Sequence, residues 1–147
     1  MTFARRFAGL VGAAVAATFA IPMATAAPAS ALTNIEDVHS VEARCHASIY
    51  KLCLYYNRGR TTAWWGAVVD VDDLAGYTFF PNTGAGSGSP VKNNAAAASC
   101  DMTASSICYV FYNRNQSGPT DWLHGGWSGK LVETYNEDAS IHLSQGA

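Results

Sequence analysis

The sequence is short of charge, and of basic residues in particular. Only 14% of its 147 residues are charged, and the formal net charge is −2. Such a chain lacks the basic surface of a nucleic-acid-binding protein and the charge bias of a disordered tail. It also lacks the composition of a coiled coil. The length leaves room for one small domain.

Motifs for catalysis are missing as well. No two histidines stand one helical turn apart around a glutamate, as a zinc peptidase requires. Residues 70–73 are rich in aspartate, but Ala75 and Pro81 stand where a calcium loop needs Gly and Glu. No serine has the flanking glycines of a nucleophile elbow. These absences predict a protein that is not an enzyme and has no cofactor.

The N-terminus has the three parts of a secretory signal peptide. Arg5 and Arg6 precede a mostly apolar run over residues 8–21, and small residues lead to Ala26 and again to Ala31. The run is too short to cross a bilayer, which takes about 20 residues. We predict a signal peptide over residues 1–26, with cleavage after Ala26 or, alternatively, after Ala31.

Export would change the charge and the redox environment. Without the signal peptide, 7 basic residues face 11 acidic ones, a net charge of −4. We therefore expect a secreted, extracellular monomer that binds neither nucleic acid nor membranes. Four cysteines in a small exported domain predict two disulfides.

The cysteines also mark an internal repeat. Cys45 and Cys53 are separated by seven residues, as are Cys100 and Cys108, and each pair leads into an aromatic segment that ends in Asn-Arg. Each half then contains tryptophan and an asparagine-led polar segment. The repeat predicts two units, about residues 45–99 and 100–143, within a domain of residues 45–147. It favours the local disulfides Cys45–Cys53 and Cys100–Cys108.

Short β-branched and aromatic segments between Gly, Asn, Ser and Pro predict an all-β sandwich or barrel. The expected strands are residues 53–56, 67–71, 77–80, 107–112, 131–135 and 141–143. Residues 27–44 are predicted as an N-terminal arm, either frayed or with a short helix over residues 32–44 that Thr33 and Glu36 would cap. The glycine-rich residues 82–90 are predicted as a mobile loop.

The tryptophans allow two interpretations. Most tryptophans in a small β domain pack in the core. If they were instead exposed in one row, they would form a platform for sugar rings, made of Trp64, Trp65, Trp122 and Trp127. If residues 64–65 lie in a strand, one of the two rings points inward and the other outward, because neighbours in a strand point to opposite faces.

Several of these segments, taken in order, resemble a known family. They are Leu-Tyr-Tyr-Asn after Cys53, Val-Lys-Asn-Asn-Ala-Ala at residues 91–96, Val-Phe-Tyr-Asn at 110–113 and Asn-Glu-Asp-Ala-Ser at 136–140. With the signal peptide and the cysteine pairs, this order resembles the secreted bacterial peptidase inhibitors typified by a small metalloproteinase inhibitor. The resemblance covers about residues 45–143. It implies a βγ-crystallin-like β-sandwich of two Greek-key motifs with two local disulfides.

The resemblance also implies an inhibitory site in the second disulfide loop, residues 100–108. Its contacts with an extracellular peptidase would come from Cys100, Asp101, Met102 and Thr103. A bridged loop loses little entropy on binding. Asp101 departs from the family, because thermolysin-like enzymes take a large apolar residue after the cleaved bond and a carboxylate there is costly to desolvate. A different target, a contact shifted to Met102 and a loss of inhibition all remain open.

Calcium-binding relatives carry a motif that residues 136–141 match in part. Asn136 and Ser140 keep two of its positions, and Glu137 stands between them. Calcium takes six to eight oxygen ligands. We therefore expect Ser140 to lock a hairpin through a backbone hydrogen bond, and hold Asn136, Glu137 and Ser140 only as calcium candidates.

Two functions remain as hypotheses. The first is inhibition of an extracellular peptidase, which predicts a protruding loop 100–108 with Asp101 and Met102 exposed. The alternative is a non-catalytic secreted module that binds a glycan or a cell-envelope ligand through exposed aromatic rings.

Overall fold

The structure, a computed structural model, describes residues 33–59 and 61–146. The predicted signal peptide, residues 1–26, and the first part of the predicted arm, residues 27–32, lie outside the described residues. Eight strands form two antiparallel sheets around an apolar core. Within residues 33–59 and 61–146 there is no helix long and apolar enough to span a bilayer.

The larger sheet has five strands. In spatial order they are β1 (Glu36–Ser40), β7 (Trp127–Lys130), β4 (Ala97–Cys100), β2 (Leu52–Tyr55) and β3 (Trp64–Ala67). The smaller sheet has three, in the order β6 (Ser117–His124), β5 (Ile107–Asn113) and β8 (Ser140–Ser144). A single turn of helix, α1 (Ala43–His46), connects β1 to β2.

The two halves of the chain share the larger sheet. β7 comes from the second half but pairs with β4 of the first, so this sheet is incomplete without the second half. The three strands of the smaller sheet all come from the second half, and Val71 of the first half adds one isolated bridge to Ile141 in β8. The all-β fold of two sheets expected from the sequence is confirmed.

The core follows the period of two that strands impose on side chains. Along β5, Cys108 and Val110 are buried, whereas Tyr109 and Phe111 are half-buried on the other face. The largest buried side chains come from both sheets and from the loops between them, namely Leu52, Leu54, Leu74, Phe79, Leu123, Leu131 and Ile141. Apolar burial between the sheets, with both halves contributing, is the main stabilising contribution expected for such a domain.

Both predicted disulfides are confirmed. The Cys45–Cys53 bridge fastens α1 to β2, and the Cys100–Cys108 bridge joins the end of β4 to the start of β5. The second bridge thus links one sheet to the other. The first lies in a small second core on the outside of the five-stranded sheet, where Tyr50 and Trp64 pack against Cys53 and Tyr55.

The helix predicted over residues 32–44 is wrong. In the described part of this segment, residues 36–40 form β1, which pairs with β7, and Thr33 bridges Leu123 at the edge of β6. The Thr33 hydroxyl does accept a hydrogen bond from the N–H of Ile35, but it also donates to the carbonyl of Trp122. Open sheet edges offer backbone partners to a segment whose own helix propensity is weak.

Other expected elements also differ. Residues 77–80 form only an isolated bridge, Thr78 to Pro90, and β3 ends at Ala67 instead of following the predicted strand over residues 67–71. The glycine-rich residues 82–90, expected to be mobile, are fixed by packing and hydrogen bonds. Gly86 lies directly on the ring of Tyr56, and the N–H of Gly88 donates to the carbonyl of Phe79.

A buried carboxylate explains why residues 131–135 are a turn instead of the predicted strand. Asp121, in β6, is fully buried and accepts hydrogen bonds from the N–H groups of Val132, Glu133 and Thr134. The hydroxyl of Thr134 donates to it as well, at 2.7 Å. These donors would otherwise need a partner strand, so the carboxylate takes the place of a ladder.

We expect Asp121→Ala to destabilise the protein strongly. The substitution leaves buried N–H groups without an acceptor, at a cost of roughly 3 kcal/mol. Urea unfolding of the variant measures this loss, and Glu133→Ala, which removes an exposed carboxylate from the same turn, is the matched control. Equal stability of the two variants would contradict the assigned role of Asp121.

Candidate functional site

The disulfide loop, residues 100–108, is held firmly along its length. The N–H of Asp101 donates to the carbonyl of Lys51 at 2.7 Å, and the N–H of Gly126 donates to the carbonyl of Cys100 at 2.8 Å. Gly125 lies so close to the loop that a side chain there would collide with the carbonyls of Met102 and Thr103. A turn closes the tip, since the N–H of Ser106 donates to the carbonyl of Thr103.

The exposure expected of an inhibitory loop is met only in part. Asp101 and Met102 are half-buried, contrary to the expectation that both are exposed. Oδ1 of Asp101 lies 3.0 Å from Nδ1 of His46. Met102 packs against the main core. Thr103 is exposed, together with the following residues 104–105. The tip of the loop is therefore the part that a partner can reach.

The four tryptophans do not lie in one row. Trp65 is buried in the core, while its neighbour Trp64 points outward, as strand alternation requires. Trp64 packs edge-to-face against Tyr50 and Phe80, with ring centres 5.8 and 5.0 Å apart. Trp127 is on the five-stranded sheet and Trp122 on the three-stranded sheet.

Trp122 belongs to a different set of rings. The outer side of the three-stranded sheet carries what we call the aromatic face, made of Tyr109, Phe111, Trp122 and His142. The register places Trp122 and His142 on either side of Tyr109, so these residues form one row across β6, β5 and β8. All members of the face are half-buried.

The rings next to Tyr109 are nearly parallel to it. Its ring centre is 6.0 Å from that of Phe111 and 5.8 Å from that of His142, with angles of 23° and 29° between the planes. The strands β5 and β8 impose this order, because each contributes every second side chain to the outer surface. A further flat ring could extend such a stack.

The edges of the aromatic face are closed by backbone. At the β6 edge, the N–H of Asn34 donates to the carbonyl of Trp122 at 3.2 Å, and the N–H of Trp122 donates to the Asn34 side chain at 2.7 Å. At the β8 edge, Val71 exchanges two backbone hydrogen bonds with Ile141. The sheet is thus protected from adding another strand, while its outer surface stays open.

His142 is held in place by Asp70. Its Nδ1 lies 2.7 Å from Oδ2 of Asp70, whose Oδ1 accepts a hydrogen bond from the N–H of Leu143 at 2.7 Å. The pair is at the surface, with 37% of the His142 side chain and 42% of the Asp70 side chain exposed. Both oxygens of Asp70 are therefore in use at the rim of the aromatic face.

A chain of hydroxyls lies on the outside of the other sheet. Ser99 bridges Tyr55 and Ser128, and the N–H of Glu42 donates to Ser128 at 3.0 Å. Burial, opposed by the hydrogen bond from Ser99, raises the pKa of Tyr55 to about 12. The adjoining cavity has a volume of only about 40 Å³. These groups satisfy one another and fasten the segment before α1 to the sheet.

The calcium candidates are placed differently from one another. Ser140 is buried, and its hydroxyl donates to the carbonyl of Asn113 at 2.6 Å and accepts from the N–H of Gln116 at 3.0 Å. It holds the β5–β6 hairpin, as expected from the sequence. Asn136 and Glu137 are exposed. The described part of the chain brings no three His, Cys, Asp or Glu side chains together as a metal site.

Between these candidates lies Asp138, which ties the two halves together. Its Oδ1 accepts hydrogen bonds from the N–H groups of Asn94 and Ala95, at 3.1 and 2.9 Å, while Oδ2 is buried without a hydrogen-bond partner. Burial raises the pKa of Asp138 to about 7, against the lowering effect of those two hydrogen bonds.

Solved βγ-crystallin domains are among the structures to which this chain is similar. No family model and no curated protein matches the sequence. One of these structures is a βγ-crystallin domain from work on the evolution of the eye lens βγ-crystallin fold. It is 9% identical in sequence, with a TM-score of 0.49, and the match covers 68% of this chain and 91% of that one. A βγ-crystallin from Ciona intestinalis is 15% identical, with a TM-score of 0.46 over 64% of this chain and 98% of its own. IPSE/alpha-1 from Schistosoma mansoni eggs is 16% identical, with a TM-score of 0.44 over 65% and 86%.

These similarities concern the fold only. The descriptions of these proteins do not mention peptidase inhibition. Of the aromatic face, the sequence predicted only Trp122 as a candidate, because the platform expected from the sequence consists of tryptophans alone. The sequence does contain a pattern that indicates the other rings. Ile107, Tyr109 and Phe111 alternate with buried residues, and His142 stands between Ile141 and Leu143.

The raised pKa of Asp138 predicts a stability that falls with pH. The folded protein holds this proton more tightly than the unfolded chain, whose aspartate has a pKa near 3.8. The contribution is therefore fully present below about pH 4 and is lost as the pH rises through about 7. Relative to wild type, Asp138→Asn should gain stability over this range, measured by urea unfolding at each pH.

Asp73 provides the matched control for this experiment. Hydrogen bonds from Lys92 and Ala75 lower the pKa of Asp73, so its contribution is lost as the pH falls. This loss occurs below about pH 4, so Asp73→Asn should differ from wild type by a nearly constant amount between about pH 5 and pH 8. Parallel curves for wild type and Asp138→Asn would show that Asp138 does not titrate as described.

Proposed function

We propose that this protein is a non-catalytic, exported binding module that holds a carbohydrate on its aromatic face. The observation that carries the proposal is the row of Trp122, Tyr109 and His142 across an open sheet, with Phe111 nearly parallel to Tyr109. Large rings left half-exposed on one surface of a small protein mark a binding site more often than scattered apolar residues do. The two disulfides are consistent with an oxidising, extracellular location.

The chemistry of the aromatic face suits a sugar. One side of a pyranose ring presents C–H groups that pack on an aromatic ring, and its rim presents hydroxyls. Aromatic walls with a few placed polar groups are typical of small-molecule sites. Here the polar groups are the His142–Asp70 pair at one rim and His124, next to Trp122, at the other.

Charge argues against a nucleic acid as the stacking ligand. The outer residues of the three strands include no Lys or Arg, since they are Ile107, Tyr109, Phe111, Thr120, Trp122, His124, His142 and Ser144. A chain of phosphates needs basic side chains alongside the rings. An uncharged or weakly charged ligand fits this surface better.

We expect Tyr109→Ala and Trp122→Ala each to weaken carbohydrate binding about tenfold, because each removes one ring from the row. Titration calorimetry with hexamers of β-1,4-linked glucose and of N-acetylglucosamine measures the effect. Tyr112→Ala is the matched control, since Tyr112 is exposed at the end of the same strand but points away from the face. If the wild-type protein binds neither hexamer nor insoluble cellulose or chitin, the proposal is wrong.

Inhibition of an extracellular peptidase is the second candidate function. What favours it is the bracing of residues 100–108, in which the disulfide and Gly125 hold the backbone behind an exposed tip. A loop that is already rigid loses little entropy when an enzyme binds it. In this version Thr103 and residues 104–105 make the contact, and Asp101 remains paired with His46.

A panel of secreted metallopeptidases and serine peptidases tests this second candidate. At micromolar protein we expect inhibition of at least one member. Substitution of Thr103, Ala104 and Ser105 together by glycine should abolish the inhibition, since it makes the tip flexible and removes its side chains. The control replaces Arg114 and Asn115 by glycine at the opposite end of β5. Absence of inhibition across the panel, or equal inhibition by both variants, would rule out this use of the loop.

A further inference from the structure

We propose that His142, oriented by Asp70, makes the aromatic face selective for neutral sugars at neutral pH and admits acidic sugars only when its imidazole is protonated. This inference rests on the proposed carbohydrate site. It assigns His142 as the residue that determines specificity and Asp70 as the residue that positions it.

The hydrogen bond to Asp70 fixes which imidazole nitrogen carries the proton. A carboxylate only accepts hydrogen bonds, so Nδ1 of His142 must be the donor in the 2.7 Å contact. In the neutral imidazole, Nε2 is then an acceptor. Among the described residues, none forms a hydrogen bond with Nε2, which leaves this atom available at the rim of the face.

The orientation of the ring is fixed by a second contact. The imidazole lies 5.8 Å from the ring of Tyr109, at 29° to its plane, and the N–H of Leu143 holds the other oxygen of Asp70. A side chain fixed both at one nitrogen and along its plane is pre-organised for a ligand. A sugar packed beside Tyr109 would therefore meet the Nε2 edge of His142.

The net charge of the His142–Asp70 pair depends on whether the imidazole is neutral or protonated. With a neutral imidazole, the His142–Asp70 pair carries one negative charge and presents an acceptor, both unfavourable to a sugar carboxylate. Protonation makes the pair neutral overall and turns Nε2 into a donor, which a carboxylate accepts as a charge-assisted hydrogen bond. A sugar hydroxyl can both donate and accept a hydrogen bond, so a neutral sugar can bind Nε2 whether the imidazole is neutral or protonated.

The other ionisable groups around His142 leave this logic unchanged. Tyr109 faces it from β5, and His124 lies on β6, beyond Tyr109. Lys51 lines a shallow concavity with Asp70 and Leu143. Asp70 is the acidic group in direct contact with the imidazole.

The experiment compares two ligands of equal length, a β-1,4-glucose hexamer and a galacturonic acid hexamer, by calorimetry on the full exported chain. Between about pH 8 and about pH 5, where histidines change charge, affinity for the galacturonate should rise about tenfold or more. Affinity for the glucose hexamer should change less than about twofold. The galacturonate carboxyls stay ionised throughout, so the response reports on the protein.

Variants separate this inference from the proposed function. His142→Gln removes one ring of the aromatic face, so it should weaken binding of the glucose hexamer to the same extent at both pH values and abolish the pH response toward galacturonate. Asp70→Asn should shift that response. His124→Gln, on the same face, should retain it. If the wild type binds the glucose hexamer but the galacturonate response is absent, or persists in His142→Gln, the inference is overturned and the carbohydrate site stands. If neither the glucose nor the galacturonate hexamer binds at either pH, this inference is wrong, and the N-acetylglucosamine hexamer and insoluble chitin then decide whether the proposed function stands.

Discussion

The Cys45–Cys53 disulfide decides which of the two sheets has a covered outer surface. It pins α1 to β2, and with it Tyr50, whose ring lies directly over Gly66 where any side chain would collide. Arg44 extends the cover, because its guanidinium donates to the carbonyls of Thr62 and Thr83 at 3.0 and 3.1 Å. The outer side of the five-stranded sheet thus becomes a second, small core. No described segment covers the three-stranded sheet in this way, so its rings stay open to solvent.

Two buried carboxylates accept hydrogen bonds from backbone donors that have no partner strand, Asp121 within the second half of the chain and Asp138 between the two halves. Asp121 gathers the donors of the turn that follows β7, and Asp138 gathers those of the loop before β4. Each replaces a partner strand that the topology does not provide. The two carboxylates differ in their hydrogen bonding. Both oxygens of Asp121 accept hydrogen bonds, whereas Oδ2 of Asp138 accepts none. A carboxylate buried in this second way favours its neutral form.

The sequence was sufficient for the fold class, both disulfides and the hairpin role of Ser140, because each rests on a local spacing. It was insufficient where a distant partner decides the outcome. The Thr33 capping pattern is a genuine local signal, yet β7 and β6 offer backbone partners that a short helix cannot match. Residues 131–135 alternate like a strand but bend around Asp121, which lies ten or more positions away in sequence. The aromatic face depends on the register between three strands, and this register cannot be predicted from the sequence of any one strand.

The uneven cover of the two sheets bears on the proposed function. A second cover over Tyr109, Phe111 and Trp122 would bury more apolar surface and add stability, at about 25 cal/mol for each Å² removed from water. On the five-stranded sheet, residues 41–50 form such a cover. Both edges of the three-stranded sheet are already closed by Asn34 and Val71, so the open surface does not serve to add strands. A surface that is protected at its edges and partly exposed on its face is suited to a ligand that stacks on rings, which supports the proposed carbohydrate site.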